Sequence, residues 1–219
     1  MHPQALEANN HPKDCKLKMN KPADGLICVM CSKPATQLCT QCRSQIYCSR
    51  QCQKSDWRVH KLLCSSYQQF QTPPHKNVRR AIVFEQSEPV VKFKWVTIET
   101  KHVDDPDDPS YEEANLEEYF GPGQKGECQP YYNNVIRDRR LQKMIELRAR
   151  EGFLTDGSPP NQAVAAVAPA VGGNVLCGPL IALKWDTGGY MPSSNPKYLD
   201  MEMGDLREVV DYLVNYGRP

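Results

Sequence analysis

The chain has 219 residues, 40% of them hydrophobic, and a formal net charge of +1. That length suits a small module beside one modest second domain, and the longest apolar stretch, Ala163 to Val171, is interrupted by Pro169, so no membrane span is expected. The balanced charge hides a partition: residues 1–80 hold 13 Lys/Arg against 4 Asp/Glu, residues 81–130 hold 4 against 12, and residues 131–219 hold 10 of each.

Residues 1–24 are polar, rich in Asn, Pro and Lys, and without periodicity, which predicts a disordered leader. His2 and His11 have no partner at metal spacing and read as solvated, and Cys15 as a free thiol. Met1 to Asn10 contains no apolar run of signal-peptide length, so the 10 cysteines are expected in a reducing, intracellular setting rather than in a disulfide framework.

Residues 25–67 carry the chemistry. Four pairs stand in order: Cys28 and Cys31, Cys39 and Cys42, Cys48 and Cys52, His60 and Cys64. They supply eight ligands, the number two tetrahedral zinc ions need. Cys28/Cys31 and Cys39/Cys42 have the two-residue gap of a tight metal-binding turn, whereas Cys48/Cys52 and His60/Cys64 are four apart and project from one helix face. Ser55 is placed to cap a short helix running to Cys64. Spacing leaves two pairings open: the first four ligands on one ion and the last four on the other, or turns and helical clips interleaved.

The offsets of Tyr47-Cys48-Ser49, Cys52-Gln53, Asp56-Trp57 and His60-Lys61 resemble the MYND-type zinc finger. That resemblance implies the interleaved cross-brace: Cys28, Cys31, Cys48 and Cys52 on one zinc, Cys39, Cys42, His60 and Cys64 on the other. It also implies a protein-binding role in which short proline-containing motifs of partner proteins dock against Gln53 and Trp57, with Arg43 to Tyr47 as an edge strand. Gln53 and Trp57, four apart, share a helix face; an indole offers a flat apolar surface to a proline ring. Alternatively, Trp57 simply covers the metal site.

Residues 68–77, with three glutamines and Pro73-Pro74, read as a linker, and His75 as exposed. Residues 78–219 then read as a small mixed α+β domain, so the expected fold class is α+β, a two-zinc finger followed by that domain. Ala81 to Phe84 and Val90 to Ile98 predict strands. Asp104, Asp105, Asp107 and Asp108, broken by Pro106, form a solvated acidic loop rather than a calcium site. Tyr111 to Phe120 predicts a short helix; Arg139 to Arg150 alternates as a strand does at Ile145, Leu147 and Ala149 and is read as one, although Leu141, Met144, Ile145 and Arg148 also fit a helical stripe; Gly152 to Asn161 predicts a turn-rich loop and Gly178 to Trp185 another strand. Asp205, with Glu208 three residues on, caps a final helix that carries Leu206, Val209, Val210, Leu213 and Val214 on one face and stops at Gly217. Arg150 to Ser158, Gly178 to Ala182 and Asp205 to Tyr212 loosely resemble the C-terminal region of uncharacterised fungal MYND-finger proteins, which brings no activity with it.

Three functions follow from this reading. The first is a zinc-binding adaptor, not an enzyme, nuclear or cytoplasmic and extending to transcriptional regulation. The second, a relative of SET-type lysine methyltransferases, meets only a poor echo at Asp156 to Asn161, and too little chain remains for that enzyme. The third is nucleic-acid binding, expected to be weak: Lys33, Arg43, Arg50, Lys54, Arg58 and Lys61 sit in the finger, but bound zinc thiolates add roughly −3 to the local charge. Cys128, Cys177 and His102 stand alone and make no catalytic constellation; Cys177 reads as a buried small hydrophobe.

Overall fold

The computed structural model describes residues 26–102, 110–124, 126–169, 175–186 and 197–216. The leader 1–24 with Cys15, the acidic 104–108 loop and Gly217 lie outside them. The chain forms a small ligand-rich module, a seven-stranded antiparallel sheet and a C-terminal helix that lies against both.

In the module, β1 (Gln37–Leu38) pairs with β2 (Ile46–Tyr47), and α1 runs from Arg50 to Cys64. The cap of α1 is Ser49, whose hydroxyl accepts from the Cys52 amide at 3.2 Å, not Ser55, which lies inside the helix. One 15-residue helix therefore carries Cys52, His60 and Cys64, and Cys48 stands just ahead of its cap. A short 3-10 turn, Tyr67–Phe70, follows and runs into the stretch from residue 68 that composition marks as a linker. It packs inward, with Tyr67 and Phe70 each 5.8 Å from the ring of Phe93.

The sheet contains β3 (Val78–Phe84), β4 (Val91–Lys101), β5 (Tyr111–Ala114), β6 (Gly126–Asn134), β7 (Arg139–Arg150), β8 (Leu180–Asp186) and β9 (Lys197–Leu199). Its order is β5-β4-β3-β8-β7-β6, and β9 pairs with the end of β8 that β3 leaves free. The strands expected at 81–84, 90–98, 139–150 and 178–185 are present. Tyr111 to Phe120 is not one helix: it is β5 followed by the single turn α2 (Glu117–Phe120). Pairing with β4 through Lys101↔Tyr111 to Ile98↔Ala114 outweighs the helical propensity of the Glu-rich run. β6, β9 and the short α3 (Gln162–Val167) were not legible in the sequence.

Strand β8 is apolar on both sides because both faces of the sheet are covered. On one face Ile82, Phe84, Phe93, Ile145 and Ala182 meet α3, α4 (Met203–Asn215) and the module's Val59, Leu63 and Tyr67. On the other, Val83, Val96, Ile181 and Leu183 meet Leu116, Phe120 and Tyr198. Helix α4 begins two residues before the expected cap: Glu202 is the N-cap, in a reciprocal capping box with Asp205. Its stripe Leu206, Val209, Val210 and Leu213 is buried as expected, and Arg207, Glu208 and Asp211 on its flank are buried too.

Candidate metal centre

The two cysteine turns have the same backbone construction. The Ser32 amide donates to the Cys28 carbonyl and the Arg43 amide to the Cys39 carbonyl, both at 2.9 Å, and each closing residue is left-handed, with φ of 58° at Ser32 and 53° at Arg43. Each turn thus folds two sulfurs toward one point. Backbone N–H groups of Cys48, Met30 and Cys31 converge on the Cys28 sulfur; burial opposes ionisation there, yet the thiol is drawn down to about 7.

The ligands assemble in the interleaved pairing. Cys28, Cys31, Cys48 and Cys52 form one set and Cys39, Cys42, His60 and Cys64 the other, the ligand atoms of each set lying within 4.8 Å of one another. In the first set the Sγ separations are 3.4 Å for Cys31–Cys48, 3.5 Å for Cys48–Cys52 and 3.8 Å for Cys31–Cys52. In the second, Cys39 and Cys64 sulfurs are 3.8 Å apart, and His60 Nε2 lies 3.3 Å from Cys39 Sγ and 3.8 Å from Cys42 Sγ. A zinc tetrahedron with bonds of about 2.3 Å to sulfur and about 2.0 Å to nitrogen has sulfur–sulfur edges of about 3.8 Å and sulfur–nitrogen edges of about 3.5 Å. The sulfur–sulfur separations reach that edge or fall slightly short of it, the two sulfur–nitrogen separations lie on either side of theirs, all far exceed a disulfide bond, and every cysteine of both sets is free.

His60 identifies its own metal-facing atom. Nε2 points at the sulfurs, while Nδ1 is buried with no hydrogen-bond partner, so the sulfur cluster is the ring's polar environment. Burial pushes the imidazole below its ordinary pKa; Asp56 opposes that shift and Arg207 adds to it. A neutral ring is the form that binds zinc. When bound, zinc supplies structural cross-linking and closes both tetrads with no open position.

The family comparison agrees with this geometry, since the model of the MYND finger matches residues 28–64. This segment is a MYND finger. A MYND finger is a zinc-binding protein-interaction module. Similar fingers occur in ubiquitin carboxyl-terminal hydrolase 19 of Arabidopsis thaliana, 39% identical over 66 residues (30% of this chain, 10% of that protein), and in histone-lysine N-methyltransferase SMYD1 of Homo sapiens, 39% identical over 57 residues (25% and 12%). A third, dauer abnormal formation protein 25 of Caenorhabditis elegans, is 51% identical over 40 residues (18% and 10%). The chain thus spans about a tenth of the length of these relatives, and the methyltransferase matches are confined to the finger. No solved structure matches the chain.

The MYND finger is not free-standing. Asp56, on α1, accepts from Tyr47 Oη at 2.7 Å and from Arg207 Nε at 2.7 Å, and Arg207 Nη1 reaches Asp211 at 3.3 Å. Arg137, from the β6–β7 turn, donates Nε to Asp211 at 2.6 Å and Nη1 to the Met30 carbonyl at 2.8 Å. Asn134 bridges Glu208 at 2.6 Å and Asp211 at 2.9 Å, and Arg139 pairs with Glu208 while reaching Ser32 Oγ at 3.4 Å. Burial pushes the Glu208 carboxyl up against the opposing pull of Arg139 and Asn134. This chain of pairs ties finger, hairpin turn and α4 together, and sequence reading missed it. Its signal was Asp56, the lone acidic residue between residues 26 and 67.

On the remaining side of α1, Trp57 is 47% exposed although the adjoining Asp56, Val59 and His60 are buried. Its ring lies 6.0 Å from that of His60, and Tyr47 approaches His60 at 6.1 Å from the other element. Gln53 is half-buried one turn before Trp57. Strand β2 is not a free edge: β1 pairs with one side, and the Val29 amide donates to the Ile46 carbonyl at 3.4 Å from the other. Strand β1, with exposed Leu38, has no second partner strand among the described residues. Outside the finger, Cys128 donates to the buried Glu146 at 3.2 Å; burial and that carboxylate push its thiol up to about 12. Cys177 is half-buried, and exposed His102 lies in neither ligand set. Among the described residues no helix is long and apolar enough to cross a membrane.

Proposed function

We propose that the protein is a non-enzymatic intracellular adaptor whose MYND finger docks short proline-containing segments of partner proteins on the Gln53–Trp57 face of α1. Trp57 carries the proposal. Nearly half exposed, it contributes little to the core, and its contact with His60 holds the indole beside a zinc-braced platform. Such an aromatic, fixed without being buried, suits a proline ring, and the outer edge of β1, which has no partner strand among the described residues, can align a partner backbone. Methyltransferase and hydrolase activities belong to relatives by name; their likeness to this chain lies in the finger, so neither activity is carried over.

A proline-peptide array probed with the full chain and with Trp57→Ala tests this, zinc content being measured on both. Loss of bound peptides at two zinc ions per chain supports docking on this face. An unchanged peptide set assigns Trp57 to shielding of the metal site and overturns the reading.

A further inference from the structure

The cations of the finger differ from those of the sheet. Lys33, Arg43, Arg50, Lys54, Arg58 and Lys61 face a single carboxylate between residues 26 and 67, and that one, Asp56, is 2% exposed and bonded to Tyr47 and Arg207. None of the six makes an ion pair among the described residues, whereas Arg80, Arg137, Arg139 and Arg207, among others of the later chain, do. Bound zinc does not remove the difference, because tetrads of charge about −2 and −1 leave a positive remainder once Asp56 is balanced by Arg207 from outside the finger.

Four of the six lie on one helix. At about 100° per residue, Arg50, Lys61, Lys54 and Arg58 fall within an arc of about 80° that starts about 20° beyond Trp57. All four are exposed. Lys61, in the last turn, suits the helix macrodipole, but local stability argues against the placement of the others. Arg50 opens a helix with no acidic residue in its first turn, where the macrodipole favours negative charge, and the Arg50–Lys54 and Lys54–Arg58 spacings set like charges four residues apart. Arg58 has a local task, donating to the Ala166 carbonyl at 3.3 Å; Arg50, Lys54 and Lys61 make no comparable bond among the described residues.

We propose that the segment docked at Trp57 is acidic: carboxylates flanking its proline run along Arg50, Lys54 and Lys61. This rests on the docking reading above and adds the chemistry of the partner. A flat indole beside three unneutralised cations selects a peptide that offers an apolar ring and negative charge side by side. The metal tetrads hold α1 rigid, so the spacing between ring and charges is set before the peptide arrives.

The test uses the full zinc-loaded chain and fluorescent peptide mixtures with one central proline and flanks of Glu, Gln or Lys. Glu-flanked peptides are expected to bind about tenfold tighter than Gln-flanked ones at low salt, as a few exposed charge contacts allow, and the gap should close in about 0.5 M salt. Lys54→Gln with Lys61→Gln should lower the Glu-flanked affinity toward the Gln-flanked value at unchanged zinc content. Equal binding of Glu and Gln flanks overturns the acidic partner and leaves docking standing. No binding by any mixture, with Trp57→Ala indistinguishable from the parent, overturns both. Tighter binding of a DNA duplex than of the Glu-flanked mixture, lost in the same double variant, assigns the stripe to phosphates and overturns the proposal.

Discussion

The finger and the sheet hold themselves together by different means. Between residues 26 and 64 the buried apolar side chains are only Val29, Ala35, Tyr47, Val59 and Leu63, no more than the buried metal ligands beside them, so zinc supplies the folding free energy that a larger core would supply elsewhere. The sheet buries apolar residues on both faces and pairs its surface cations. A metal-held unit can leave Trp57 and its neighbouring cations uncommitted, because its stability does not depend on them. The two regions are nevertheless joined by one apolar cluster and by the Asp56–Arg207–Asp211–Arg137 chain. The finger is therefore presented at a fixed angle to the rest of the protein.

Removing zinc tests the contrast most severely. With roughly 10–16 kcal/mol of apparent binding free energy at stake per ion, chelation is expected to abolish amide protection across 26–67 while β3, β4, β7 and β8 keep theirs. Simultaneous loss in both regions would show that the metal supports the whole chain. Deleting residues 1–67 comes next. It uncovers the apolar surface on α4 and the sheet that Val59, Leu63 and Tyr67 cover, and it leaves Arg207 without Asp56, so the remainder should aggregate or melt at markedly lower temperature than the full chain.

Breaking only the charged joint should have an intermediate effect. Arg207→Ala leaves Asp56 buried without a guanidinium, Asp211 keeping that of Arg137, and is expected to cost about 3–5 kcal/mol in equilibrium unfolding. Leu206→Ala, which removes a buried apolar contact from the same helix, should cost about 2–5 kcal/mol by the same measurement. Trp57→Ala should change stability least, by no more than about 1 kcal/mol, because the ring is half exposed. A larger loss in denaturant melts would place the indole in the support of the metal site.

The eight ligands were legible because metal binding depends on short, regular intervals, and two residues or four along the chain set which side chains can share an ion. The apolar strands and the α4 stripe were legible for a similar reason, since period 2 and period 3.6 are local properties. The reach of α1 back to Ser49 was not, because a hydroxyl capping Cys52 competes with one at Ser55, and the packing of the helix against α4 favours the longer element. Strand β6, carrying Pro130 and two asparagines, has poor strand chemistry and exists through its register with β7.

Sequence alone determined that this protein holds two zinc sites in its N-terminal third, and that a sheet and an amphipathic helix follow. Tertiary structure decided what lies against that helix. Arg207, Glu208 and Asp211 look like a solvated flank when read in order, yet Asp56, 151 residues before Arg207, and the β6–β7 turn bury them. A charged side chain enters the interior only when a partner stands opposite, and the partner here is supplied by a part of the chain that no local pattern connects to it.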